Sequence, residues 1–454
     1  MRVHMTAKRD HGLLLGFWVA ALAVCATLCP AAARAADDSV DASQAYALHA
    51  QATVTEQAHP AFTSPYQGPL SLDPGARGDE TADITLYAGA RPWSGAEVWI
   101  NGEVDQGFGL SDTVGIAGFP SGEAYKIGAR DPYVKLPRLF LRQTIDLGGD
   151  RSKVDPDLNV LGGSQTADRI VLTVGKFSVV DVFDNNAYAH DPRQDFLNWV
   201  LIDTGTFDYA ADAWAYTYGA AAEWYVGPWT LRAGLFDMSK APNSPTLDFS
   251  FGQYQEVGEL ERRYSLGKLA GKIAVTGFLT HGRMGSYSDA IALAEQTGQP
   301  ADVALVRRYQ TRGGVSLNIE QSLTDQLGLF VRAGEADGSK EAYEFADVDQ
   351  TVAAGLSQAG DAWKRPDDKA GVAFVIDEIS KEHQAYQNAG GTGILIGDGK
   401  LPHPGPEQIV ETFYSLGVVK GLHVAADYQF VQNPAYNRDR GPVSVFGLRL
   451  HAQY

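Results

Sequence analysis

The sequence predicts an all-β chain closed into an antiparallel transmembrane β-barrel of about sixteen strands. Three observations predict it. Apolar residues recur with period two, the segments that carry this period are mostly near ten residues long, and the links between them alternate short and long. Composition agrees. The 454 residues include 49 Gly, 20 Tyr, 19 Phe and 8 Trp, and glycine weakens helices while aromatic residues suit pleated strands. The formal net charge of −18 argues against a nucleic-acid binder, which needs a basic footprint.

Residues 1–35 read as a secretory signal. Arg2, Lys8 and Arg9 form a positive start, Leu13 to Leu28 an apolar run, and Ala33-Arg34-Ala35 a cleavage site. The run is shorter than the ~20 residues of a spanning helix. Both cysteines, Cys25 and Cys29, leave with this piece, so residues 36–454 form a single exported domain without a disulfide. No later stretch is long and apolar enough for a membrane helix, so membrane residence implies a closed sheet.

The period-two segments lie near 46–57, 82–91, 96–105, 137–146, 168–177, 213–226, 229–237, 258–268, 270–282, 310–320, 325–334, 369–377, 391–397, 410–418, 421–431 and 443–454. The last is the clearest: Phe446, Leu448, Leu450, Ala452 and Tyr454 share one face, and Val445, Gly447, Arg449, His451 and Gln453 the other. Before it, Leu422, Val424, Ala426, Tyr428 and Phe430 alternate with His423, Ala425, Asp427 and Gln429. The same pattern puts Tyr216, Tyr218, Ala220, Ala222 and Trp224 opposite Thr217, Gly219, Ala221 and Glu223.

Tight turns are expected at Arg91–Ala96, Val226–Trp229, Gly267–Gly271, Gln321–Asp325 and Val419–Gly421, and long loops at 58–81, 106–136, 178–212, 238–257, 283–309 and 335–368. Outer-membrane barrels alternate short periplasmic turns with long outer loops in this way. Two links break the alternation, 147–167 and 378–390, the second with a short helix at Ser380–Asn388. A soluble β-sandwich also alternates. Long, numerous strands and aromatic residues at strand ends (Trp93, Trp99, Trp224, Trp229, Tyr414 and the terminal Tyr454) favour the membrane barrel, where such residues form an interfacial girdle.

Several segments resemble the carbohydrate-selective porins of the OprB type. They are Leu86–Trp93 (LYAGARPW), Glu103–Ser111 (EVDQGFGLS), Lys135–Gln143 (KLPRLFLRQ), Phe207–Trp214 (FDYAADAW) and the ending Asn433–Leu450. The similarity runs through nearly the whole exported chain in one order, and only the set as a whole is specific. Tyr454 departs from the more usual Phe but keeps an aromatic end. The resemblance implies a sixteen-stranded outer-membrane barrel that passes sugars of the glucose type down a gradient.

Such a pore must replace part of a sugar's water. Guanidinium forks donate, carboxylates accept and aromatic faces cover C–H surfaces. The candidate lining residues are Arg138 and Arg142 on one strand, Glu103 and Asp105 on another, Glu259, Glu261 and Arg263 on a third, and Arg193, Asp195 and Trp199 on the loop 178–212. That loop carries an apolar run, Phe196–Ile202, which inward folding would bury. The loop 106–136, with Phe108, Tyr125, Lys126 and Arg130, is a second candidate for the constriction.

Enzyme motifs are lacking. There is no H-E-x-x-H, G-x-S-x-G or phosphate-binding loop, and acid pairs such as Glu259/Glu261 arise by chance in so acidic a chain. No cofactor or metal is expected. The alternatives are a general diffusion porin and a plugged structural or adhesive outer-membrane barrel. The expected partners are permeating sugars, outer-membrane lipid and the barrel-assembly machinery, which would read the strand ending in Tyr454. A homotrimer is open, and cations are preferred if the acids line the pore.

Overall fold

The computed structural model describes residues 43–124, 128–345 and 347–454. The expected signal and its cleavage site, and Tyr125 and Lys126 of the second candidate loop, lie outside the described residues. Sixteen strands follow in chain order: β1 (Tyr46–His59), β2 (Arg77–Ala90), β3 (Ala96–Gly107), β4 (Ala129–Val154), β5 (Gly163–Phe177), β6 (Thr217–Val226), β7 (Trp229–Asp237), β8 (Tyr254–Leu266), β9 (Leu269–Met284), β10 (Arg308–Ser322), β11 (Leu327–Ala336), β12 (Gln350–Ala359), β13 (Lys369–Glu378), β14 (Glu407–Val419), β15 (Leu422–Gln432) and β16 (Val443–Gln453). Each pairs antiparallel with its sequence neighbour, and β1 closes on β16 from Gln51↔Gln453 to Ala58↔Phe446. Closure leaves no unpaired sheet edge facing lipid.

The expected count of sixteen holds through two compensating errors. The segment 391–397 is no strand. Its apolar core, Ile394–Ile396, has no alternation and is buried in the connection 379–406, where the Ile394 and Leu395 N–H groups donate to the Asp347 carboxylate. The strand in its place is β12, inside the expected loop 335–368. Its inward face is built of small or polar residues (Thr351, Ala353, Gly355, Ser357) that carry little apolar signal. With β12 in place every connection alternates. The stretch 379–406 becomes a long-loop connection, with its helix at Lys381–Asn388 capped by Ser380.

The other expected misfit, 147–167, is mostly strand. Beyond Gln143 of β4 and Arg169 of β5 these two strands pair only with each other, forming a ribbon that outruns the wall. Register shifts at Gly148 and beyond bend it, and Gly148 and Gly149 adopt φ of +124° and +83°. Its tip, 155–162, returns beneath the barrel. The Asn159 carbonyl accepts from Arg142 at 2.8 Å, and Gln44 and Gly162 exchange hydrogen bonds at 2.9 Å.

Of the expected girdle, Trp93, Trp224, Trp229, Tyr414 and Tyr454 are exposed on the outer surface, all towards the end that carries the short turns. Trp99 is the exception. It is 0% exposed, inside the barrel, with its ring stacked on His49.

The lumen is narrowed from within. The connection 178–216 folds inward, as its apolar run requires: Phe196, Leu197, Val200 and Leu201 are fully buried. A one-turn helix, α1 (Trp199–Ile202), is capped by Asn198. Phe196 packs edge-on against Phe413 and Phe330, and Trp199 lies 5.0 Å from Phe119 and 5.1 Å from Phe345. Wall carboxylates hold the loop backbones. Glu411 accepts from the Leu197 and Asn198 N–H groups, Glu407 from Ala117, Gly118 and Ala435, and Glu259 from Asp184. Satisfying these inward donors removes the cost of burying loop backbone away from water.

Candidate functional site

A cavity of about 530 Å³ lies between the inward loop and the wall β1–β5. Its cationic side is a ladder down β4. From the pair Asn101↔Arg138 to the pair Glu103↔Lys135, β3 advances two residues and β4 three. The extra residue is a bulge at Leu136-Pro137, where proline has no N–H to leave unpaired. The bulge brings Lys135 and Arg138 to the same face despite their odd spacing, above Phe140 and Arg142, and all four line the cavity.

Each cation is held in place. Arg138 donates two bonds to Asp181 on the inward loop, 2.8 and 2.6 Å, and lies 4.9 Å from the Tyr216 ring. Lys135 Nζ is 3.0 Å from both Glu103 and Asp105 and lies over the Trp214 and Tyr216 rings. Arg142 lies 3.4 Å from Glu97 and over the Phe140 ring. Arg193 reaches from the inward loop to Glu123 at 3.1 Å, Asp83 at 3.3 Å and Glu103 at 3.7 Å. Pairing fixes the forks, and their unused N–H groups and the carboxylate lone pairs remain to exchange with hydroxyls.

The loop groups respond to this setting. Burial pushes the Asp181 carboxyl up, but the Arg138 guanidinium outweighs it and holds the group below its ordinary value. Burial lifts Glu123 above its ordinary value against the pull of Arg193. Burial disfavours charge on His190, yet Asp203, 3.6 Å from its Nδ1, raises the imidazole above its ordinary value. At that distance the pair is an ion pair rather than a hydrogen bond.

Five of the ten sequence candidates line this cavity: Glu103, Arg138, Arg142, Arg193 and Trp199. The other five do not. Asp105 is 0% exposed beneath Lys135. Asp195 turns the other way to hold Lys369. Glu259 is covered by the inward loop, taking the Asp184 N–H and the Arg232 guanidinium. Glu261 and Arg263 belong to the same cluster, with Arg232 to Glu261 at 2.8 Å and Arg263 to Glu261 at 3.1 Å. Sequence reasoning missed Lys135, Asp181, Trp214 and Tyr216. Pro137 within a strand was the available signal for Lys135, whereas the inward course of the loop gave none. Among the described residues no group of His, Cys, Asp and Glu is arranged to hold a metal ion.

Comparison with known proteins gives a consistent result. The family model "Carbohydrate-selective porin, OprB family" matches residues 71–454. A structure of Pseudomonas putida OprB at high pH superposes with a TM-score of 0.67 at 14% identity, covering 90% of this chain and 94% of that one. A low-pH structure of the same porin gives 0.50 at 12% identity, with both chains covered fully. These likenesses speak for the fold. Porin AaxA of Chlamydia abortus is 23% identical over 297 residues, which is 65% of this chain and 56% of that protein. The match therefore spans little more than half of that relative.

Proposed function

The chain belongs to the carbohydrate-selective porins of the OprB family, and from that premise we propose that it is an outer-membrane channel for small neutral sugars of the glucose type, moving them down their gradient. The short turns face the periplasm and the long loops the exterior. The observation that carries the reading is the cavity at the narrowed lumen. It places paired cations (Lys135, Arg138, Arg142), carboxylates (Glu103, Asp181) and aromatic rings (Trp199, Trp214, Tyr216) around one volume of about 530 Å³. A sugar entering it exchanges water for these interleaved donors and acceptors and lays its C–H face on a ring. Every cation already has a partner, so binding stays weak. Millimolar affinity, about 4 kcal/mol, suits a pore that must release its solute.

The test is single-channel conductance of the purified protein in a planar bilayer with glucose titrated into the bath. Saturable reduction of discrete steps supports the reading, and Arg138→Ala should raise the half-blocking concentration about tenfold. Steps indifferent to sugar indicate a general diffusion pore. A folded barrel without steps indicates a plugged one.

A further inference from the structure

The lumen holds a second cavity, of about 380 Å³, on the short-turn side of the inward loop. Its wall is an arc of strands on the opposite side of the barrel from β3 and β4. The register places its side chains in rows: Ser357 stands opposite Gly328, Ser415 opposite Lys369, and His423 opposite His451. All of these but Gly328 line the cavity. Its inner boundary is the lowest part of the inward loop, including Tyr188, Arg193 and Gln194. Arg193 lines both cavities.

Tyr188 supplies the flat surface. A Cβ on Gly328 would lie 2.0 Å from its ring, so one face of the ring rests on the β11 backbone where only glycine leaves room. Its hydroxyl bonds Ser322 at 2.8 Å. The ring is thus fixed at its back and its tip. The ammonium of Lys369 is steadied by Asp195, which explains that acid's position away from the first cavity. Hydroxyls, imidazoles, the tethered ammonium and the carboxylates of Asp325, Asp367 and Asp368 around a braced ring supply both donors and acceptors to a neutral polyol. The first cavity differs in having guanidinium–carboxylate pairs, at Arg138–Asp181 and Arg193–Glu123.

We propose that this cavity is a second, exit-side sugar subsite, with Tyr188 as its stacking platform and Arg193 as the wall across which solute passes from the first cavity. The proposal rests on the transport reading above and adds a second binding step to it.

The test is glucose-induced current noise in single channels of the purified full-length protein. Two relaxation components are expected from wild type, one for each cavity. Tyr188→Ala should weaken the second about tenfold in half-saturating glucose, and Gly328→Ala, which keeps the ring but displaces it, about threefold. Heat-modifiable electrophoretic mobility checks that each variant is a closed barrel. If Gly328→Ala does not fold, Gln194→Ala on the same rim serves in its place, with a smaller weakening of the same component. A single component in wild type, or a second component indifferent to Tyr188→Ala, overturns the subsite and leaves the channel reading intact. Absence of any glucose-dependent noise in wild type overturns the channel reading, and this one with it.

Discussion

Two parts of the lumen wall carry the same kind of sequence. On β3 and β4, Glu97, Glu103, Arg138 and Arg142 face inward; on β6 to β8, Glu223, Arg232, Glu259, Glu261 and Arg263 do the same. Both sets build guanidinium–carboxylate pairs. In the first set Glu103, Arg138 and Arg142 border open space. In the second, the inward loop covers Glu259, and Arg232 is tied to three carboxylates at once. Strand periodicity decides that a residue faces the lumen, and the course of one loop decides whether it meets solute or supports the loop. Buried anchors of the second kind are costly to remove, because the loop and wall donors they satisfy are left without an acceptor away from water.

The comparison is broken most strongly by Glu259→Ala. It leaves the Asp184 N–H and the Thr276 hydroxyl without their acceptor, while Glu223 and Glu261 still pair with Arg232, and should cost about 2–4 kcal/mol in urea unfolding. It should also raise single-channel conductance as the loop loosens. A loss below ~1 kcal/mol would show that the second wall supports nothing. Next comes Arg138→Ala, for which about 1.4 kcal/mol of sugar affinity, a tenfold change, is expected with a smaller loss of stability. Equal stability losses in the two variants would erase the distinction between the walls.

A smaller effect follows from His190. Its folded-state value is raised, so its ion pair with Asp203 stabilises fully below the ordinary value of about 6.5 and is lost as pH rises through the raised value. The difference in thermal midpoint between wild type and His190→Asn should therefore be largest near pH 5.5 and close towards pH 9. A gap that widens with pH contradicts the pairing. The smallest effect is expected at the girdle, where Trp224→Ala removes one exposed aromatic anchor and should lower stability in bilayers by about 1 kcal/mol while leaving sugar block unchanged.

The barrel was legible in the sequence because outward faces must be apolar in lipid, and apolar alternation survives reading one residue at a time. β12 was missed because its inward residues are small, and 391–397 misread because a buried loop can be as apolar as a strand. Arg138 and Arg142 were legible from period two. Lys135 was not, since the bulge at Pro137 shifts the period, nor was Asp181, whose place depends on contacts more than forty residues away in sequence. Glu259 and Arg138 look alike in one dimension, and no local pattern separates an anchor from a free wall.

The β4–β5 ribbon gives the first cavity an unusual economy of parts. The strand that bears Lys135, Arg138 and Arg142 continues past the wall, turns, and brings Leu158 and Asn159 back beneath the same volume. Side and floor are thus one continuous hairpin, built from neighbours in the chain, whereas the seam between β1 and β16 joins its two ends. The tip at 155–162 lies outside the wall's strand pairing and touches neither Lys135 nor Arg138 by a hydrogen bond; of the three cations on this strand it holds Arg142, through the Asn159 carbonyl. The shape of the floor and the chemistry of the binding face are therefore traits of one piece of polypeptide, coupled at the Arg142–Asn159 hydrogen bond and separate at Lys135 and Arg138.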